Sequence, residues 1–196
     1  MRKSVPLAMT AALTILSGCG GGEETKRDGN TAEAVEEVKE AGNTTIAAGL
    51  EENSRFLQLA KAAGIDATLS GAGPYTVLVA DDAAFNKLPA GTVDNWLKAE
   101  SKPELTSVLR YNVLPGTVLA ADIGKAIDNA KGRAQLATVG GETLTATREG
   151  GNIVLTDSAG TKATITKADE TRANGVVHQV NAVLMPGREE AASGQP

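Results

Sequence analysis

The chain has one cysteine, Cys19, and one histidine, His178, in 196 residues. A lone cysteine excludes an internal disulfide, so the fold must stand on packing alone. A lone histidine leaves little material for His- or Cys-based catalysis or zinc binding. Aromatic residues make up 3% of the chain, so its core must be built from Ala, Val, Leu and Ile. Lysine and arginine form no cluster interleaved with aromatics, and the formal net charge is −5. Nucleic acid is excluded as a partner on that account. The most apolar run, Val5 to Leu16, falls short of the about 20 residues that span a bilayer.

The start of the chain reads as an export signal. Arg2 and Lys3 precede that apolar run, and Leu16-Ser17-Gly18-Cys19 follows it. A basic end, a short apolar stretch and small residues describe a secretory signal peptide over residues 1–18. The Leu-Ser-Gly-Cys tetrad resembles the bacterial lipobox, which implies lipid attachment at Cys19, and three glycines then give a flexible exit. Gly20, where sorting rules place Asp for inner-membrane retention, implies the outer membrane. Loss of Arg2 and Lys3 takes the net charge from −5 to −7. Residues 19–42 carry six glutamates and almost no large apolar side chain, the composition of a tether. As a flexible coil it reaches on the order of 25–30 Å. Residues 188–196 read as a frayed tail.

Between these ends, 43–187 reads as one domain with helices first and strands later, an α+β pattern. Thr44 or Thr45 is expected to cap a short helix carrying Ile46, Ala47 and Leu50, and Asn53 or Ser54 a second. In the second, Phe56, Leu57, Leu59, Ala60 and Ala63 keep helical spacing up to Gly64. Tyr75–Ala80 reads as a strand. Asp81 and Asp82 open a short helix over Ala83–Leu88. Val93, Trp96 and Leu97 mark one face of another. Ser101-Lys102-Pro103-Glu104 reads as a capping box before Leu105, Val108 and Leu109. Tyr111–Leu114 is extended. From Gln135 the apolar period becomes two, giving short strands at 135–139, 143–148, 153–156 and 163–166, with glycine-rich separators. Asn174 to Pro186 alternates with apolar residues on both faces and no internal Gly or Pro beyond its opening turn. It reads as a central strand covered on two sides, with His178 on its more apolar face. The Tyr75 strand has to join this later sheet.

Three blocks resemble one family. Gly73-Pro74-Tyr75-Thr76-Val77-Leu78-Val79-Ala80-Asp81-Asp82-Ala83-Ala84-Phe85, followed by Leu88 to Val93, is similar to the first signature of the fasciclin (FAS1) family. Leu109 to Gly116 resembles its tyrosine–histidine motif, and Asn174 to Pro186 its second signature. The blocks stand in order across about residues 43 to 187. The resemblance implies a compact β-sandwich or wedge flanked by helices and an extracytoplasmic adhesion role, not an enzyme. Its motif positions fall on Thr76, Asp82, Phe85, Tyr111, Asn112, Pro115, Gly116, Gly175, His178, Asn181 and Pro186. Asn112 departs from the family histidine and Ala80 from a common proline. The integrin contact associated with the motif in animal members is therefore not carried over. The expected partner is a surface protein or polysaccharide, with the lipid on Cys19 reaching the membrane, no cofactor or metal, and a monomeric state. The alternative is a periplasmic small-molecule-binding or structural envelope lipoprotein.

The residues themselves point the same way. His178 has no motif serine or free cysteine to serve, which makes it a buried histidine bonded to a neighbouring loop. Asp81 and Asp82 fall short of the six or more oxygens of a calcium site and read as caps. Gly140-Gly141 and Gly150-Gly151 lack the spacing of a phosphate loop and read as hairpin turns. Tyr111 reads as a core or interface residue rather than a contact site.

Overall fold

The computed structural model describes residues 43–52 and 54–187. Lipid attachment at Cys19, the 1–18 signal, the 19–42 tether, the 188–196 tail and capping by Asn53 lie outside them. Seven strands form one sheet: β1 (Tyr75–Ala80), β2 (Val113–Pro115), β3 (Arg133–Ala137), β4 (Thr143–Glu149), β5 (Asn152–Thr156), β6 (Lys162–Arg172) and β7 (Gly175–Val180). Their order is β2-β1-β7-β6-β5-β4-β3. Neighbours from β3 to β7 are antiparallel hairpins, while β1 and β7 run parallel, with Tyr75 opposite Gly175. The early strand thus joins the late sheet, and β7 is central, buried along nearly its whole length. Beyond β3, the Val139 N–H donates to the Val113 carbonyl at 2.7 Å and the Gly140 N–H to that of Arg110 at 3.1 Å. These two bonds tie the β3 end to the β2 end, so the sheet curls into a near-barrel.

Among the described residues, six α-helices decorate it: α1 (Arg55–Ala63), α2 (Asp66–Ser70), α3 (Asp82–Phe85), α4 (Thr92–Trp96), α5 (Lys102–Tyr111) and α6 (Ala120–Asn129). α1 and α5 pack on each other, and α6 lies against β3, β4 and β5. The apolar side chains of helices and sheet merge in one core that includes Ile46, Phe56, Leu78, Leu105, Ile123, Leu155 and Leu184. As the α1 spacing requires, Phe56, Leu57, Leu59, Ala60 and Ala63 are all buried, Ser54 caps the start and Gly64 the end.

Several expectations are corrected. Residues 46–50 form turns rather than a helix. The helix expected over Ala83–Leu88 closes at Phe85. Leu97 is 52% exposed, although Trp96 beside it is buried. The capping box does not form: the Ser101 side chain makes no cap bond, and Glu104 instead accepts the Trp96 indole N–H at 3.3 Å. Two helices, α2 and α6, go beyond the sequence reading, and β6 runs to Arg172 rather than stopping at Thr166. Its register slips between Ile165 and Lys167 and again between Lys167 and Glu170, so bulges carry the charged Lys-Ala-Asp-Glu segment along the sheet.

The final strand ends at Val180, not Pro186. Asn181 ends it by substituting a side chain for backbone. Its N–H still donates to the Thr164 carbonyl at 3.2 Å, but its Oδ1, not a main-chain oxygen, accepts the Thr164 N–H at 2.8 Å. The chain is then free to turn away and bury Val183 and Leu184.

Candidate functional site

Three of the signature residues, Thr76, Gly116 and His178, meet at the loop that leads from β2 into α6. Thr76 and His178 sit on adjacent strands, β1 and β7, and share a face, since Thr76 is opposite Val176 and Leu78 opposite His178. Both are fully buried. The Thr76 hydroxyl donates to the Gly116 carbonyl and accepts the Val118 N–H, both at 2.8 Å. Gly116 has φ 84, the left-handed region that favours glycine. His178 takes the next position: its Nε2 lies 2.8 Å from the Val118 carbonyl, and its Nδ1 lies 3.1 Å from the Asp169 N–H. Because Nδ1 must accept, Nε2 carries the hydrogen and donates. Both ring nitrogens are therefore spent on backbone.

Asp169 sits in the β6 bulge with φ 61. Its carboxylate accepts the Ala120 N–H at 2.8 Å, filling a cap that Leu119, at the helix start, has no side chain to supply. Loop 116–120 is thus clasped from three strands.

The remaining motif residues fall into separate groups. Asp81 caps α3 through the Ala84 N–H at 2.6 Å, while Asp82 reaches across to accept the Arg55 N–H of α1 at 3.0 Å. Phe85 is buried beside them. Tyr111 is fully buried and donates to the Thr143 carbonyl at 3.2 Å. Its pKa is raised, chiefly by burial, with the carboxylates of Asp157 and Glu142 adding to the effect and hydrogen bonding from Ser158 opposing it. The Asn112 amide donates to the Val108 and Leu184 carbonyls, each at 2.8 Å. Pro115 is exposed opposite Tyr75. At Gly175 a Cβ would overlap the Tyr75 carbonyl, so only glycine fits there. Pro186 is half-buried past Leu184.

Two structural residues escaped sequence reasoning. Asn174 accepts the Ile46 N–H at 2.7 Å and donates to the carbonyls of Leu69 and Gly71 at 2.8 Å each. Asp157 accepts the N–H groups of Thr161 and Met185 at 2.7 and 3.0 Å. The signal for Asn174 lay in its own signature block. Asp157 lay in a turn-forming stretch whose distant partner no local pattern marks.

Among the described residues, no three His, Cys, Asp or Glu side chains gather as a metal site would need. One of several surface clefts, of about 450 Å³, lies between α1 and the segment running from Phe85 through α4, lined by Arg55, Gln58, Leu88, Val93, Asp94 and Leu97 among others.

The fasciclin domain model matches residues 51–186. The chain belongs to the fasciclin family. It is similar to protein sll1483 of Synechocystis, 36% identical over 141 residues that cover 72% of this chain and 71% of that protein. The transforming growth factor-beta-induced protein ig-h3 of Sus scrofa is 30% identical over 145 residues, 72% of this chain but 19% of its own length. Cell surface glycolipoprotein MPB83 of Mycobacterium bovis is 33% identical over 119 residues, 61% of this chain and 46% of that protein. The chain thus spans only a fifth to a half of the length of the latter two. A solved FAS1 domain pair from the insect cell adhesion molecule fasciclin I aligns over 66% of this chain and 44% of its own, with 23% identity and a TM-score of 0.49. The α+β fasciclin fold expected from the three blocks is the fold observed.

Proposed function

We propose that this fasciclin domain is an extracytoplasmic interaction module. It is held to the outer membrane of a bacterial envelope by lipid on Cys19, and it contacts a surface protein or polysaccharide through its outer surface rather than through a catalytic pocket. One observation carries the reading. Five polar side chains of the signature blocks are committed to the protein's own backbone: Thr76 and His178 to loop 116–120, Asp81 to α3, Asp82 to α1, and Asn181 to β6. Recognition then falls to residues outside the blocks. Among the described residues, Leu97, exposed at the rim of the α1–α4 cleft, and Leu119, exposed beside the clasped loop, are the large apolar side chains available for it. A mycobacterial relative named as a cell surface glycolipoprotein supports the placement, as do the Leu-Ser-Gly-Cys tetrad and the glutamate-rich segment after it.

Protease treatment of intact cells, with a known periplasmic protein as control, tests this. Cleavage of the domain on intact cells, and release of a folded Cys19→Ser protein from the membrane fraction, is the expected result. Protection until the outer membrane is breached overturns the surface-contact reading, and a Cys19→Ser protein that stays membrane-bound overturns the anchor.

A further inference from the structure

A cleft of about 440 Å³ opens where the end of α1 and helix α2 meet α5. That volume lies within the range of small-molecule sites. Its floor is apolar. Ile65, Leu69 and Val113 are buried core residues, and Val139 packs against the same core. The cleft is formed without any backbone movement, because its parts are fastened to one another. Helices α1 and α5 pack together, and the Val139 N–H donates to the Val113 carbonyl at 2.7 Å.

The rim is polar and of one sign. Lys102, Thr106 and Arg110 follow at four-residue spacing along α5 and so share one face of it. Thr106 and Arg110 line the cleft. The Lys102 ammonium stands 3.9 Å from the point that a Cβ on Gly64, another lining residue, would take. No carboxylate lines the cleft, although the formal net charge of the chain is −5. Lys125, Arg148, Lys162, Lys167 and Arg172 each have a carboxylate partner. Among the described residues, the Arg110 guanidinium and the Lys102 ammonium have none, and the Tyr75 hydroxyl at the same rim makes no hydrogen bond. Arg110 stands in the last turn of α5, where a cation suits the helix end. That accounts for its charge but not for the apolar floor beside it.

We infer that this cleft binds a small carboxylate with an apolar body. The body lies on Ile65, Leu69 and Val113 beside the Tyr75 ring. The carboxylate accepts from the Arg110 guanidinium, whose planar fork matches it in two parallel bonds. Lys102, roughly 12 Å along the helix at 1.5 Å per residue, adds to the positive potential that draws the anion in. A cationic head is repelled from the same rim. This site is independent of the surface-contact function proposed above.

Titration of the full chain with octanoate, 1-octanol and octylammonium tests it, followed by two-dimensional NMR of the Gly64 and Thr106 amides and the Arg110 side-chain Nε–H. The expected result is saturable shifts at these groups with octanoate, bound on the order of tenfold more tightly than 1-octanol, as one charged hydrogen bond provides. Octanoate affinity should fall with added salt, and octylammonium should not saturate. Arg110 is exposed, so Arg110→Gln keeps the fold, checked by circular dichroism, and should bind octanoate no better than 1-octanol. Arg133→Gln removes the same charge from an exposed position on β3 outside the cleft and should leave octanoate affinity unchanged. Equal wild-type affinity for octanoate and 1-octanol, an equal loss in the two variants, shifts confined to residues outside the cleft, or no saturable octanoate binding overturns the assignment.

Discussion

Asp169 and His178 are joined through the backbone of one and the ring of the other. The backbone N–H of Asp169 donates to His178 Nδ1 at 3.1 Å, and its carboxylate, which caps Ala120, lies 3.9 Å from the same ring nitrogen. With Nε2 on Val118, the imidazole ties the β6 bulge to the loop that starts α6. The lone histidine is thus a structural rivet between two segments of irregular backbone.

Replacing it with an apolar residue of similar bulk should destabilise the domain without altering the course of the sheet. In His178→Leu, the Asp169 N–H and the Val118 carbonyl lose their partner. At about 1–3 kcal/mol for each buried group left unpaired, the loss should be on the order of 2–4 kcal/mol in urea unfolding followed by circular dichroism. A loss below about 0.5 kcal/mol would show that water replaces the ring without cost.

Thr76→Val keeps the shape of the side chain and removes its hydroxyl, which holds Gly116 and Val118. A cost of about 1–3 kcal/mol is expected. Thr76 and His178 both hold Val118, through its N–H and its carbonyl. The double variant should therefore depart from additivity by about 0.5 kcal/mol or more, measured by a double-mutant cycle. Strict additivity would mean that the two side chains hold the loop independently.

Tyr111 provides a pH dependence. Its pKa is raised above the ordinary 10.0, with burial the first cause. At neutral pH both folded and unfolded chains keep the phenol proton, and the stability it contributes is fully present. As pH rises past 10.0, the unfolded chain releases the proton while the folded chain retains it, so stability is lost through the folded pKa. Thermal unfolding should therefore fall more steeply above that pH in the wild type than in Tyr111→Phe. Parallel curves would show that the phenol ionises freely in the fold.

What could be read from the chain was its periodicity. Alternating apolar residues with glycine-rich turns gave the strands from β3 to β7, and the 3.6-residue spacing of Phe56, Leu59, Ala60 and Ala63 gave α1. Helix α6 was hidden although Ile123 and Ile127 repeat at helical spacing, because its cap is Asp169, 49 positions away. The second half of β6 was hidden because it is a charged segment on a bulged strand, where no alternation survives. Glu104 follows the capping-box pattern yet turns to Trp96, an outcome set by where α4 packs. The burial of His178 followed from its valine neighbours, but its partners on two other segments could not.

The parallel pairing of β1 with β7 sets the order in which the molecule can be made. Tyr75 waits for Gly175, and the Ile46 N–H waits for Asn174, 128 positions later. Closing loops of that length is slow. Until β7 arrives, β1 has only the three-residue β2 beside it, and one of its edges stays open. A chain emerging from a ribosome or a membrane pore therefore remains without its central strand until almost all of residues 43–187 are out. The fold therefore completes late and from its far end.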